Sequence, residues 1–168
     1  MSSPASQTHS EGTAEKAKQT GPAPARILLV DDDPVNQVVA LGLLRRRGWQ
    51  AVAAGNGREA LRILAGQSFD LILMDLQMPE MDGYQTASVI RQNEARSLSV
   101  SPARESTDTD REMTDPPGER IPIIALTTAS QPGVREKCLA AGMDDYLTKP
   151  VSPRDLYAAV EKYLGSGH

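Results

Sequence analysis

Leu71-Ile72-Leu73-Met74-Asp75 is the stretch that decides the fold. Four apolar residues in unbroken succession, closed by a carboxylate, have the length and near-continuous hydrophobicity of a strand buried on both faces. Two other runs share that texture: Ile27-Leu28-Leu29-Val30, followed by Asp31-Asp32, and Ile123-Ile124-Ala125-Leu126, followed by Thr127. Between these runs the period changes. Val35, Val38, Val39, Gly42 and Leu43 fall at the i, i+3, i+4, i+7, i+8 spacing of an amphipathic helix, and Leu156, Ala159, Val160, Tyr163 and Leu164 repeat it. Two shorter helices centre on Leu61 and Leu64 and on Val134, Cys138 and Ala141.

Start and stop residues agree with this alternation. Asp33-Pro34 opens the first helix and Arg45-Arg46-Arg47-Gly48 closes it, while Gln131-Pro132 opens the fourth and Gly142 ends it. The expected elements are β1 26–31, α1 34–47, β2 50–54, α2 57–66, β3 70–75, α3 83–93, β4 122–127, α4 132–141, β5 145–148 and α5 153–164. Repeated β-α units with short connections imply an α/β fold, a doubly wound, five-stranded parallel sheet with five helices and right-handed crossovers. Weak apolar character marks β2 and β5 as edge strands.

The 168 residues suffice for one domain of ordinary size. Residues 1–25 are polar and hold almost no large apolar side chain, so they are expected to form a disordered N-terminal tail or linker; 165–168 form a C-terminal tail. The domain proper is 26–164. Within it, 94–120 is again polar and Pro-containing and is expected to be a long flexible insertion between α3 and β4. A net charge of −4 argues against direct nucleic-acid binding. A lone Cys138 and the lack of an apolar leader or long apolar run argue for a reducing, cytoplasmic setting without membrane contact.

Every unusual polar residue falls at the carboxyl end of an expected strand: Asp31 and Asp32 after β1, Asp75 on β3, Thr127 on β4 and Lys149 after β5. In an open α/β sheet the ligand crevice lies just beyond those ends. Three carboxylates converging there would repel one another unless a cation neutralises them. An all-oxygen donor set with no Cys or His nearby suits Mg²⁺, or Mn²⁺, better than Zn²⁺. Asp33 is the natural helix cap, so three acids after β1 need not mean three ligands.

Leu29-Val30-Asp31-Asp32, Leu73-Met74-Asp75 with Met78-Pro79 and Met81-Asp82-Gly83, Ala125-Leu126-Thr127 and Lys149-Pro150 together resemble the signature of response-regulator receiver domains of two-component systems. Pro34-Val35-Asn36-Gln37 and Ala141 to Pro150 are similar to receivers of hybrid sensor histidine kinases. The resemblance implies a flavodoxin-like strand order 2-1-3-4-5 and a cis Lys149-Pro150 bond. It implies that Asp75 accepts a phosphoryl group from a histidine kinase or histidine phosphotransfer protein. Asp31, Asp32, Asp75 and the Gln77 backbone carbonyl would hold the metal, Lys149 and Thr127 would contact the phosphoryl group, and Thr127 and Tyr146 would switch the α4-β5-α5 face seen by a downstream protein. Homodimerisation on phosphorylation belongs to the same set of expectations. On this view the chain is a phosphoprotein in a signalling relay, promoting only its own phosphoryl transfer and dephosphorylation, and not an enzyme. Thr128 departs from the family's usual small residue and narrows the approach to Asp75. Two alternatives stand beside this one: an aspartyl-phosphate-forming phosphatase, against which Leu76-Gln77 breaks the Asp-x-Asp nucleophile pattern, and a docking receiver that is never phosphorylated. A flavin-binding module is disfavoured, because Asp31-Asp32-Asp33 would repel a phosphate.

Overall fold

The computed structural model describes residues 24–99, 120–128 and 132–164. The tail through residue 23, positions 100–119 of the insertion, residues 129–131 with Gln131 among them, and residues 165–168 lie outside the described residues. The observed elements are β1 Arg26–Val30, α1 Pro34–Arg46, β2 Gln50–Ala54, α2 Gly57–Gly66, β3 Leu71–Asp75, α3 Gly83–Ser99, β4 Ile123–Thr127, α4 Val134–Ala140, β5 Asp145–Thr148 and α5 Pro153–Leu164. All strand pairs are parallel and the order is β2-β1-β3-β4-β5, the flavodoxin-like topology. β2 and β5 occupy the edges, where weakly apolar strands are tolerated.

The central strands divide their side chains between two cores, as a sheet covered on both faces requires. Leu28, Val30, Ile72, Met74, Ile123 and Ala125 face α2, α3 and α4, which contribute Ala60, Ala87, Ile90, Val134 and Cys138. Ile27, Leu29, Leu71, Leu73, Ile124 and Leu126 face the other way, against Leu44 of α1 and Leu156, Ala159 and Val160 of α5.

Three expectations need correction. The stripe Val35, Val38 and Val39 is not the buried face of α1: these residues are 69%, 71% and 57% exposed. Leu44 is buried there instead, with Ala40, Leu41 and Leu43 partly buried beside it. A helix whose apolar residues run nearly all round does not reveal by period alone which side meets the sheet. Second, α3 continues past 93 to Ser99, so the expected insertion loses its first residues to helix. Arg91 explains the persistence. Its guanidinium binds both Glu94 carboxylate oxygens (3.0 and 2.8 Å), Asp144 Oδ2 (2.9 Å) and the Gly142 carbonyl (2.8 Å). Glu94 also accepts the Ile121 amide and Asp144 the Ile123 amide, so this clasp joins α3 to the start of β4 and to the turn before β5. Third, α4 starts at Val134, because Gly133 is left-handed at φ 93° and Pro132 lies in the preceding turn.

The start of α1 is as expected: the Asp33 side chain accepts the Val35 amide and Pro34 occupies the first turn. Arg47 does more than complement the helix end, since it pairs with Glu161 of α5 and lies 5.3 Å over the Tyr157 ring. No helix among the described residues is long and apolar enough to cross a membrane.

Gly83 is required by close approach. Its amide donates to the Leu76 carbonyl, and a Cβ there would overlap the Asp75 carbonyl oxygen and come within 2.9 Å of Leu76 Cα. Gly83→Ala should therefore cost about 1–3 kcal/mol through overpacking. Gly42→Ala in α1, where a Cβ meets nothing within 4 Å, should add about 0.5–1 kcal/mol. Urea unfolding of the two variants, with midpoints moving in opposite directions, checks both.

Candidate functional site

β1, β3, β4 and β5 end on one rim of the sheet, and each delivers a polar group there. Asp31, which follows β1, is 2% exposed. Its Oδ1 accepts the Asp33 amide (2.9 Å), and its Oδ2 accepts from Lys149 Nζ (2.9 Å). Asp75 closes β3; its Oδ1 accepts the Gln77 amide (3.1 Å) and its Oδ2 lies 3.3 Å from the same ammonium. Lys149 is thus shared between two buried carboxylates 44 residues apart in the chain.

The third acid, Asp32, is exposed and its carboxylate has no partner among the described residues. One oxygen each of Asp31, Asp32 and Asp75 lies within 4.8 Å of the others. Three hard anionic oxygens at that separation, with no nitrogen or sulfur ligand among them, fit a hard divalent cation. Thr127, ending β4, is 3% exposed, and its carbonyl accepts the Lys149 amide at 2.7 Å. Lys149-Pro150 is cis. Tyr146 projects from edge strand β5 at 37% exposure.

The electrostatics follow from this packing. Burial pushes the Asp75 carboxyl above its usual 3.8, outweighing the Gln77 hydrogen bond and the Lys149 charge, with Asp31 adding to the rise. Burial acts on Lys149 in the opposite sense, but the bond to Asp31 and the charges of both acids prevail and raise it, so the ammonium persists at neutral pH. Asp82, part of the quoted motif, caps α3 through Gln85 and takes no place in the acidic cluster.

The structure brings together Asp31, Asp32, Asp75 and Lys149, with Thr127 ending the adjacent strand. One neighbouring side chain lies within the quoted Pro34 to Gln37 stretch but was given no part in the site by the sequence. Gln37, in the first turns of α1, donates its amide to the carbonyls of Asp31 (2.6 Å) and Ala54 (3.3 Å). A polar residue at that helical position reads as solvent-facing until the end of β2 is placed beside it.

A family profile described as Response regulator receiver domain matches residues 27–115 and 107–161. The chain belongs to this family. Probable histidine kinase 1 of rice (Oryza sativa subsp. indica) is 38% identical over 167 residues, covering 93% of this chain and 17% of the relative. The receiver chain therefore spans less than a fifth of that relative. Among solved structures, the receiver domain of sensor histidine kinase PA1611 from Pseudomonas aeruginosa, crystallised with a magnesium ion in its active-site cleft, aligns with a TM-score of 0.65 at 37% identity, covering 85% of this chain and 99% of that one. The receiver domain of Ssk1 from Saccharomyces cerevisiae, solved in complex with the histidine phosphotransfer protein Ypd1, aligns with a TM-score of 0.69 at 30% identity, covering 84% and 89%. This receiver is a module of two-component signalling, similar to the receivers of hybrid histidine kinases.

Because the folded pKa of Asp75 exceeds the unfolded one, this carboxylate opposes folding above its folded pKa, and the penalty fades as pH falls toward 3.8. In metal-free buffer at pH 7, Asp75→Asn should raise the melting temperature, with the gain disappearing as the pH is lowered through the carboxylate range. Calorimetry across that range checks the sign.

Proposed function

We propose that Asp75 is the phosphoacceptor of a phosphorelay, supplied by a histidine kinase or a histidine phosphotransfer protein. The observation that carries this reading is the single Lys149 ammonium lying between Asp31 and Asp75 while the oxygens of three acids converge within 4.8 Å. Such a cluster retains more negative charge than its own lysine offsets, which suits a divalent cation and then a phosphoryl group.

Asp32, exposed and without a competing partner among the described residues, and Asp75 would be direct Mg²⁺ ligands, with the Gln77 backbone carbonyl beside them and Asp31 reaching the metal partly through water. When bound, Mg²⁺ supplies the charge neutralisation that lets an anionic carboxylate approach a phosphoryl group. Mn²⁺ offers the same hard coordination.

An Asp75 oxygen attacks phosphorus in line, the P–O bond forms as the P–N bond to the donor histidine breaks, and the released imidazole nitrogen keeps the electron pair. Lys149 stabilises the equatorial oxygens during this loose transfer. The Thr127 hydroxyl then binds a phosphoryl oxygen, vacating space into which Tyr146 turns from its exposed position. That rearranges the α4-β5-α5 face, where Leu139 is also exposed, for a downstream protein. The arrangement supports a signalling module in preference to a phosphatase, since Gln77 stands two residues after Asp75, where an Asp-x-Asp nucleophile motif has its second acid.

A phosphohistidine donor or acetyl phosphate should label the wild type at Asp75, Asp75→Ala should take up none, and Lys149→Met should slow labelling about a hundredfold. Beryllofluoride with Mg²⁺ should shift the amide signals of Thr127 and Tyr146 in the wild type alone. No label from any donor would favour a docking receiver instead. Thr128→Ala, which opens the approach to Asp75, should alter the phosphoaspartate lifetime; a lifetime identical to wild type removes Thr128 from the account.

A further inference from the structure

The acidic cluster has an unequal architecture. Asp31 is tied through both carboxylate oxygens, and Asp75 is held by the Gln77 amide and by Lys149. Asp32 is exposed and its carboxylate has no partner among the described residues. Repulsion from two nearby acids pushes such a side chain outward, so only its backbone can keep it within 4.8 Å of them.

That backbone is held on its N-terminal side by a small lattice. The Asp31 amide donates to the Ala54 carbonyl at 3.1 Å, pairing the end of β1 with the end of β2. The Asp31 carbonyl, which belongs to the peptide leading into Asp32, accepts from Gln37 Nε2 at 2.6 Å, and the same nitrogen lies 3.3 Å from the Ala54 carbonyl. An amide nitrogen carries two hydrogens and can serve both acceptors. Gln37 is itself anchored, its backbone amide donating to the Asp33 carbonyl at 3.0 Å. One side chain therefore closes a ring through the first turn of α1, the end of β1 and the end of β2.

We propose that Gln37 is a positioning residue for the metal site: its side-chain amide fixes the peptide plane between Asp31 and Asp32, holding the Asp32 carboxylate against repulsion in the orientation that Mg²⁺ requires. This rests on the reading of the three acids as a Mg²⁺ site. Gln37 touches neither metal nor phosphoryl group. It lowers the reorganisation that binding would otherwise demand, as partners of metal ligands commonly do.

The test is Mg²⁺ titration of the full chain, followed by calorimetry and by amide shifts, for wild type, Gln37→Met and Gln50→Met. Methionine keeps the length and volume of glutamine without its donors; Gln50 is exposed at the far end of β2 and serves as the control. Melting in EDTA is recorded for each. The expected result is Mg²⁺ affinity weakened roughly tenfold in Gln37→Met and unchanged in Gln50→Met. Gln37→Met affinity within twofold of wild type, even with a lowered melting temperature, would show a merely structural role and overturn the proposal. Equal weakening in Gln50→Met would overturn it too. A wild type that binds no Mg²⁺ would sink the metal-site reading itself, an outcome distinct from these. Should Gln37→Met not fold, the wild type alone decides: the Gln37 side-chain amide protons should exchange slowly and shift on adding Mg²⁺. Protons that exchange freely and stay unmoved contradict the proposal.

Discussion

An ammonium group between two buried carboxylates is the interaction on which the rest of this structure depends. Asp31 and Asp75 sit where water cannot solvate them, and Lys149 is the cation within bonding distance of both. Without it the ends of β1 and β3 would carry uncompensated charge inside the protein, a cost of several kcal/mol. With it, and with Asp32 alongside, the site still holds three negative charges against one positive. The remainder equals the charge of one divalent cation. Burial, with Asp31 adding to it, raises Asp75 above its usual pKa, and the charge left over at the rim is what the proposed metal and phosphoryl chemistry would use.

Topology makes that meeting possible at low cost. In the order β2-β1-β3-β4-β5 the chain leaves β1 in one direction and returns through β3 on its other side, so the connections part above these two strands and leave a crevice. Loops there need not cover the acids. Gly83 lets the start of α3 settle directly against the backbone of Asp75 and Leu76, so the Asp75 carboxylate is braced from behind by main chain.

Much of this was legible in the residues because both signals were unambiguous. Runs such as Ile27 to Val30 and Leu71 to Met74 are too short for helices and too apolar for loops, and the polar groups following them converge once the sheet is parallel. Asp33-Pro34 is equally clear as a helix start. The outer face of α1 was not legible, since Val35, Val38, Val39, Ala40, Leu41, Leu43 and Leu44 surround the axis and only contact with the sheet selects Leu44 as the buried one. The end of α3 escaped for a different reason: Glu94 and Arg96 read as loop-like polarity, whereas Glu94 is held by Arg91 and by the Ile121 amide, a partner 27 positions away. The part Gln37 plays was hidden likewise, because its acceptors are carbonyls just past β1 and at the end of β2, which only the folded sheet sets beside α1.

The Arg91 clasp has a bearing on how such a chain can diverge. Glu94 and Asp144 grip the amides of Ile121 and Ile123, so the register of β4 is pinned where the strand begins and takes no instruction from whatever length of polypeptide comes before it. Closing a longer excursion adds only about 0.6 kcal/mol for each doubling. Sequence between 100 and 119 can accordingly lengthen, shorten or change composition over generations while the opposite rim, with its acids and lysine, inherits none of the disturbance.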